Sequence, residues 1–468
     1  MVFSSPAFLF VFLPAAFLLE RLVPSVKGKN FFLTLASLLF YAVGEPLYVL
    51  LLLASVLLNY GAGRLLTVPR LPQKLVLGLG LAVALNLGLL SVFKYAGFAV
   101  DAMNRLLGLS LPLPDIALPI GVSFFTFQGL SYVVDVYRDR SMVSRSLWKL
   151  ALYISFFPQL IAGPIVKYHD VSLQIDSRAA SPALTAAGVR RFILGLSKKL
   201  LLSNTVGQMA DLVFTAPAAQ LDARSAWLGA LCYMLQIYFD FSGYSDMAIG
   251  LGKMFGFHFL ENFQYPYVSA SIKEFWRRWH ISLSSWFRDY LYIPLGGNRK
   301  GKLRTELNKC LVFFCTGLWH GASWNFVLWG LWHGVFIILE DLTPAKRRPP
   351  KPLAHLITLL AVLLGFVLFR ADTLPIAGML YGKMFTGFTA TVQSQALLRA
   401  MLPPYNLFIL ALCLVFSLPI LPRLRAWAQK GQGKLLRAGS YVAAGVLFLL
   451  CVMNLAGSQF NPFIYFRF

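Results

Sequence analysis

Apolar residues recur in long runs from one end of the chain to the other. Clear examples are Phe31–Tyr60, Leu75–Phe93, Trp227–Phe239, Leu353–Phe369, Tyr405–Leu421 and Tyr441–Leu455. A helix needs about 20 largely apolar residues to cross a bilayer, so these runs predict an all-α polytopic membrane protein with about 10–12 spans. The two-residue alternation of a membrane β-barrel is missing. The opening MVFSSPAFLFVFLPAAFLLE has no basic leader segment and no small-residue cleavage site, so it reads as a first span.

The polar positions between the runs predict a topology. Basic loops face the cytoplasm. Arg21, Lys27 and Lys29 place the first loop inside and the N-terminus outside, and Arg64, Arg70 and Lys74 return the chain inside. The basic segments around Arg138–Lys149 and Lys167–Lys199 both belong inside, yet SFFPQLIAGPI (Ser155–Ile165) lies between them. A segment that must return to its own side, broken by two prolines and a glycine, predicts a re-entrant element lining a cytoplasmic cavity. A proline-kinked span is the alternative. Continued alternation puts the C-terminus outside. With no internal repeat and no linker, residues 1–468 read as one membrane domain.

Composition changes the picture in two places. The formal net charge of +23 would suggest nucleic acid in a soluble protein. Here short basic loops and anionic headgroups account for most of it, so membrane lipids are the expected partner and nucleic acid is not. The five cysteines are scattered and form no CxxC pair, and they read as small core residues.

The region 253–309 is the most polar, with ten Lys/Arg against four Asp/Glu. Projected as one helix, Ser271–Tyr290 puts Lys273, Arg277, His280, Ser284 and Arg288 on one side and an aromatic face beside them. An interfacial helix is one reading. The other is a cationic cavity wall that binds an anionic donor, with neighbouring like charges keeping His280 neutral. His320 and His333 occur in two Trp-His-Gly triplets thirteen residues apart. On one continuous helix they would lie about 220° apart, which argues against a two-histidine metal motif. His320, between Gly317 and Gly321, is the stronger candidate for chemistry. Asp240 and Asp246, in apolar surroundings, each need a partner, for which arginines are the expected source.

The run YFDFSGYSDMAIGLGKMFGFHFLENFQYPY, then SIKEFWRRWHISLSSWFRDYLYIPLGGNRKG and GLWHGASWNFVLWGLWHG, resembles the membrane-bound O-acyltransferases (MBOAT). Within them it is most similar to the bacterial alginate O-acetyltransferase (AlgI-like) branch. The PQLIAGPI element and the closing FIYFRF fit the same pattern, and the resemblance covers essentially the whole chain. It implies a ring of tilted helices around a central tunnel in the bacterial inner membrane. It implies His320 as the catalytic histidine and His280 as its companion. Asp240, Asp246, Asn262, Trp279 and Trp319 are candidate supporting residues, with structural ion pairing the alternative for the two acids. No metal and no tightly bound cofactor are implied.

The implied co-substrate is acetyl-CoA; the helical projection, not the resemblance, offers Lys273, Arg277, Arg278 and Arg288 as the cations to hold its phosphates. The implied reaction is O-acetylation of an extracellular polysaccharide, with polysaccharide synthesis and export machinery as partners. The tail at 457–468 resembles the terminal tyrosine motif of related cell-envelope acylation systems, which implies a relay through Tyr465 to an extracytoplasmic SGNH-type acetyltransferase; the alternative is an aromatic tail that only docks at the interface. The stretch from Gly457 to Tyr465 extends about 26–29 Å, against about 15 Å for half the hydrocarbon core. The competing readings are a transporter or flippase of an envelope precursor, and an acyltransferase of the same family acting on lipid or protein.

Overall fold

In the computed structural model the described residues are 1–68, 72–420, 422, 433–457 and 463–464, and among them the chain is helical with no strand. They cluster into two compact units, Met1–Phe192 with Met247–Leu260, and Ile193–Asp246 with Glu261–Phe468.

The first unit contains α1 (Leu13–Leu22), α2 (Val26–Gly44), α3 (Tyr48–Thr67), α4 (Pro72–Leu107), α5 (Val122–Arg138), α6 (Leu147–Ser155), α7 (Phe157–Leu160), α8 (Tyr168–Asp176) and the start of α9 (Pro182–Ser197). Local chemistry sets the starts and stops. Ser25 caps α2 by accepting from the Gly28 amide at 3.1 Å. In the lipid-suited helices α3 and α4, Asn59 and Asn86 exchange reciprocal amide hydrogen bonds of 3.1 and 3.0 Å. Such polar pairs hold apolar helices together where burial in lipid supplies no driving force. Phe8, Phe12, Phe40 and Phe157 pack ring on ring.

The segment around Pro158 breaks as the prolines require. α6 has nine residues and α7 four, both far short of a span, and residues 150–168 are buried throughout. The turn needs glycine: a Cβ on Gly163 would lie 2.6 Å from the Gln159 Cα. At the start of α5, Gly121 has φ +81° and its Cβ would lie 2.8 Å from the Leu160 carbonyl.

The second unit contains the end of α9, a π-helical turn at Lys198–Ser203, α10 (Asn204–Phe214) and most of α11 (Ala223–Met254). It continues with the short α12 (Ile272–Arg278) and α13 (Ile281–Phe287), then α14 (Lys302–His320), α15 (Trp324–Leu342) and α16 (Lys351–Arg370). It closes with α17 (Leu374–Thr386), α18 (Val392–Met401), α19 (Pro404–Phe416) and α20 (Gly433–Gly457). Arg370 at the end of α16 pairs with Asp211 of α10 at 2.6 Å.

Among the described residues five helices are long and apolar enough to cross a membrane, or six if the bent pair α18–α19 counts as one span. Sequence patterning suggested more. The shortfall has a local cause: several apolar runs are interrupted by backbone breaks or, as in α11, by Gln236, Asp240 and Asp246.

Candidate active site

The helix expected over 271–290 is two helices. α12 ends at Arg278, and His280 adopts left-handed backbone angles (φ 44°, ψ 52°) before α13. A non-glycine residue in this region is uncommon and needs support from its surroundings. Asn262 supplies it. This fully buried amide receives the Ser282 N–H at 3.1 Å and the Ser282 hydroxyl at 2.8 Å on Oδ1. Its backbone carbonyl accepts the Ile281 N–H at 3.0 Å, and its Nδ2 donates to Ser245 Oγ at 3.1 Å.

Because a backbone N–H only donates, the atom facing Ser282 N is the amide oxygen. His280 Nδ1, 3.3 Å from that same oxygen, is therefore the nitrogen that carries hydrogen. The lone pair is on Nε2, the arrangement a base or hydrogen-bond acceptor requires. His280 is fully buried, and burial alone pushes its pKa down to about 3. The imidazole is neutral as expected, but burial rather than neighbouring cations is the cause.

His320 ends α14 and is 4% exposed. Trp329 and Phe369 wall it at centroid distances of 5.0 and 5.2 Å, both edge-on. The His280 and His320 rings are 6.3 Å apart. Trp319 touches His280 at 5.7 Å, and Phe241 meets it edge-on at 4.6 Å. Trp279 is also buried and stacks on Phe275 at 5.5 Å. The sequence-expected pair is thus brought together in an aromatic box.

The continuous helix assumed for the two Trp-His-Gly triplets does not exist. The chain turns at Gly321–Ser323, and α14 and α15 form an antiparallel hairpin. Glycine permits the close approach: a Cβ on Gly330 would lie 2.2 Å from the Phe313 carbonyl, and one on Gly317 2.3 Å from the Phe326 carbonyl. His333 therefore lies on the same side of the hairpin as His320, with Trp329 between them at 5.1 Å from His333. It is fully buried against Phe275 and Trp276, and neither ring nitrogen has a hydrogen-bond partner among the described residues.

The cations and acids divide differently from the projection. Lys273 pairs with Asp341, Arg278 with Glu274 at 2.9 Å, and Arg288 with Asp289 at 2.7 Å, while Arg277 is exposed. Asp240 and Asp246 are ion-paired, but with lysines: Lys199 to Asp240 at 2.5 Å and Lys198 to Asp246 at 2.7 Å. The π-helical turn presents these consecutive lysines to α11. Sequence reasoning missed Lys198 and Lys199, although a charged pair inside the apolar run ILGLSKKLLLS was a usable signal. It also missed Ser282 and Ser245, which carry no pattern of their own, and Glu340, whose carboxylate caps α12 by accepting the Ile272 N–H at 2.5 Å. Tyr465 lies outside the described residues; Phe463 and Ile464 just before it are described and buried.

The model of the membrane-bound O-acyltransferase family matches residues 48–382. The chain belongs to that family. As a member it is a multi-pass membrane acyltransferase, in agreement with the expected fold class and enzyme class. It is 39% identical to a probable alginate O-acetylase of Pseudomonas putida over the full length of both chains. It is 43% identical to the probable alginate O-acetylase of Pseudomonas aeruginosa over 82% of this chain and 75% of that one. A peptidoglycan O-acetyltransferase of Helicobacter pylori is 34% identical over all of this chain and 98% of its own. This acyltransferase thus resembles enzymes named for two different extracytoplasmic polymers, and the shared element is O-acyl transfer.

Proposed function

We propose that this acyltransferase takes acetyl from cytoplasmic acetyl-CoA and delivers it outward for O-acetylation of an extracellular polysaccharide, alginate or a related glycan. The observation that carries the reading is the His280–His320 pair, 6.3 Å apart in a buried aromatic box, with one His280 tautomer held by Asn262. A buried, neutral His280 imidazole beside the His320 ring suits proton removal from a weak oxygen nucleophile. The names of the similar enzymes support acetyl as the group and a polymer as the final acceptor.

In the proposed sequence, the Tyr465 hydroxyl attacks the thioester carbonyl while the His320 imidazole takes its proton. The carbon–sulfur bond breaks, the proton passes to sulfur, and CoA leaves as the thiol. A serine hydroxyl of an SGNH-type partner outside the membrane then attacks the tyrosyl ester, forming a seryl ester and returning the phenol with the serine's proton. A phenol is a better leaving group than an alcohol, so this transfer runs downhill. A polymer hydroxyl then attacks the seryl ester, taking the acetyl and regenerating the serine. His280 orients the nucleophile. Arg277, being exposed, is the cation best placed to meet CoA phosphate, and Lys273, Arg278 and Arg288 would exchange their carboxylates for phosphates. Such partly exposed pairs are worth about 0–1 kcal/mol, so the exchange is cheap. The reading places both termini outside the inner membrane.

The test uses purified protein in lipid vesicles with radiolabelled acetyl-CoA, alone and with a purified SGNH-type partner and polymer. The His320→Ala variant should lose acetyl transfer by about 10²–10⁴-fold with its fold intact. Tyr465→Phe keeps the aromatic ring but should leave no acetyl on the tail peptide and none on the polymer. Polymer acetylation at the wild-type rate by Tyr465→Phe would remove the relay and leave direct transfer.

A further inference from the structure

The buried Asp240 carboxylate does more than neutralise Lys199. Its Oδ1 takes Lys199 Nζ at 2.5 Å and the Ser203 hydroxyl at 3.4 Å. Its Oδ2 accepts the backbone N–H of Ile464 at 2.9 Å. The lysine and aspartate side chains are 5% and 1% exposed. A buried ion pair recovers its desolvation cost only when further hydrogen bonds satisfy the remaining lone pairs, and here a distant backbone amide supplies one of them. Phe463 lies against Tyr244 at 4.6 Å, with Phe241 at 6.3 Å and the Lys199 ammonium 6.0 Å from its ring centre. Ile464 enters an apolar core cluster of the unit.

We propose that the Lys199–Asp240 pair is a latch that holds the C-terminal tail in register beside the histidine pair, making Asp240 a positioning residue. Two facts set the register. The Phe463 ring on Tyr244 and the Ile464 side chain in the apolar core select which main-chain amide the carboxylate grips. Asp240 is also adjacent in sequence to Phe241, whose ring packs on His280 at 4.6 Å. The tail anchor and one wall of the histidine box are therefore consecutive residues of α11. Tyr465 is the next residue after the gripped amide. The catalytic consequence rests on the relay through Tyr465; the latch itself does not.

Hydrogen–deuterium exchange of the peptide containing Ile464 reads the latch directly, using the full-length protein in vesicles. An N–H held by a charged acceptor should be slowed relative to one released, by about ten- to a hundredfold. Asp240→Asn/Lys199→Met keeps an oxygen acceptor for the amide without stranding the ammonium and should retain most of that protection. Asp240→Ala should lose it. Because Asp240→Ala strands a buried ammonium, the paired variant Asp240→Leu/Lys199→Met removes both charges together; it should fold, lose tail protection, and lose transfer. Unchanged protection in that folded variant overturns the latch. Lost protection together with normal acetylation by Tyr465→Phe would keep the latch and remove the relay, so the two failures are distinguishable.

Discussion

Two regions of the molecule hold histidines in opposite ways. In the first unit, His169 at the start of α8 is 41% exposed and sits between two carboxylates, its Nδ1 3.0 Å from Asp135 and its Nε2 3.3 Å from Asp170. The hydrogen bond to Asp135 raises its pKa above the ordinary value. In the second unit, His280, His320 and His333 are buried among rings, and Asn262, not an acid, orients His280. The lesson concerns the surroundings: a carboxylate partner raises the pKa of His169 and ties it in place, whereas burial among aromatic rings lowers that of His280.

The largest test of that contrast is Gly330→Ala. The new Cβ would lie 2.2 Å from the Phe313 carbonyl, so the α14–α15 hairpin must open and carry His320 away from its walls. Overpacking of this kind costs about 1–3 kcal/mol, and a shift of His320 should cut transfer at least tenfold. The check is a thermal midpoint and a transfer rate on the same sample. A wild-type rate would mean that the box tolerates a looser hairpin.

A smaller effect should follow from Asn262→Asp, which gives His280 the kind of partner His169 has. An acid there should raise the His280 pKa by about 1–3 units from its depressed value. The transfer rate should then fall more at about pH 5.5 than at about pH 8, relative to the parent. Parallel pH profiles would show that His280 is not needed as a neutral group.

The smallest effect belongs to the first unit. A raised folded-state pKa means that the stabilisation from His169 is fully present below the unfolded value of about 6.5 and is lost as pH rises through the folded value. The thermal midpoint should therefore drop slightly between about pH 6 and about pH 9. Asp135→Asn, which keeps an oxygen for the His169 backbone N–H, should flatten that dependence, and a persistent slope would assign it to another group.

Much of this architecture was legible along the chain. Long apolar runs specify membrane helices because unpaired backbone groups are intolerable in lipid. The prolines around Pro158 announced the broken segment, since proline removes a donor and clashes with the preceding turn. The motifs singled out His320 and His280 as candidates, which the fold places 6.3 Å apart, and Asp240 and Asp246 announced a need for partners. Three features were decided only by tertiary structure. Two short helices meet at a left-handed His280 because Asn262 and Ser282 satisfy the turn, and no local pattern encodes a contact between positions 20 apart. The Trp-His-Gly triplets share one side because glycine lets two helices approach face to face, which a single-helix projection cannot represent. The lysine partners of the two acids come from another helix, on a π-turn that places neighbouring side chains together. Periodicity along the chain reports which face is apolar; what each polar group meets is set by packing between distant segments.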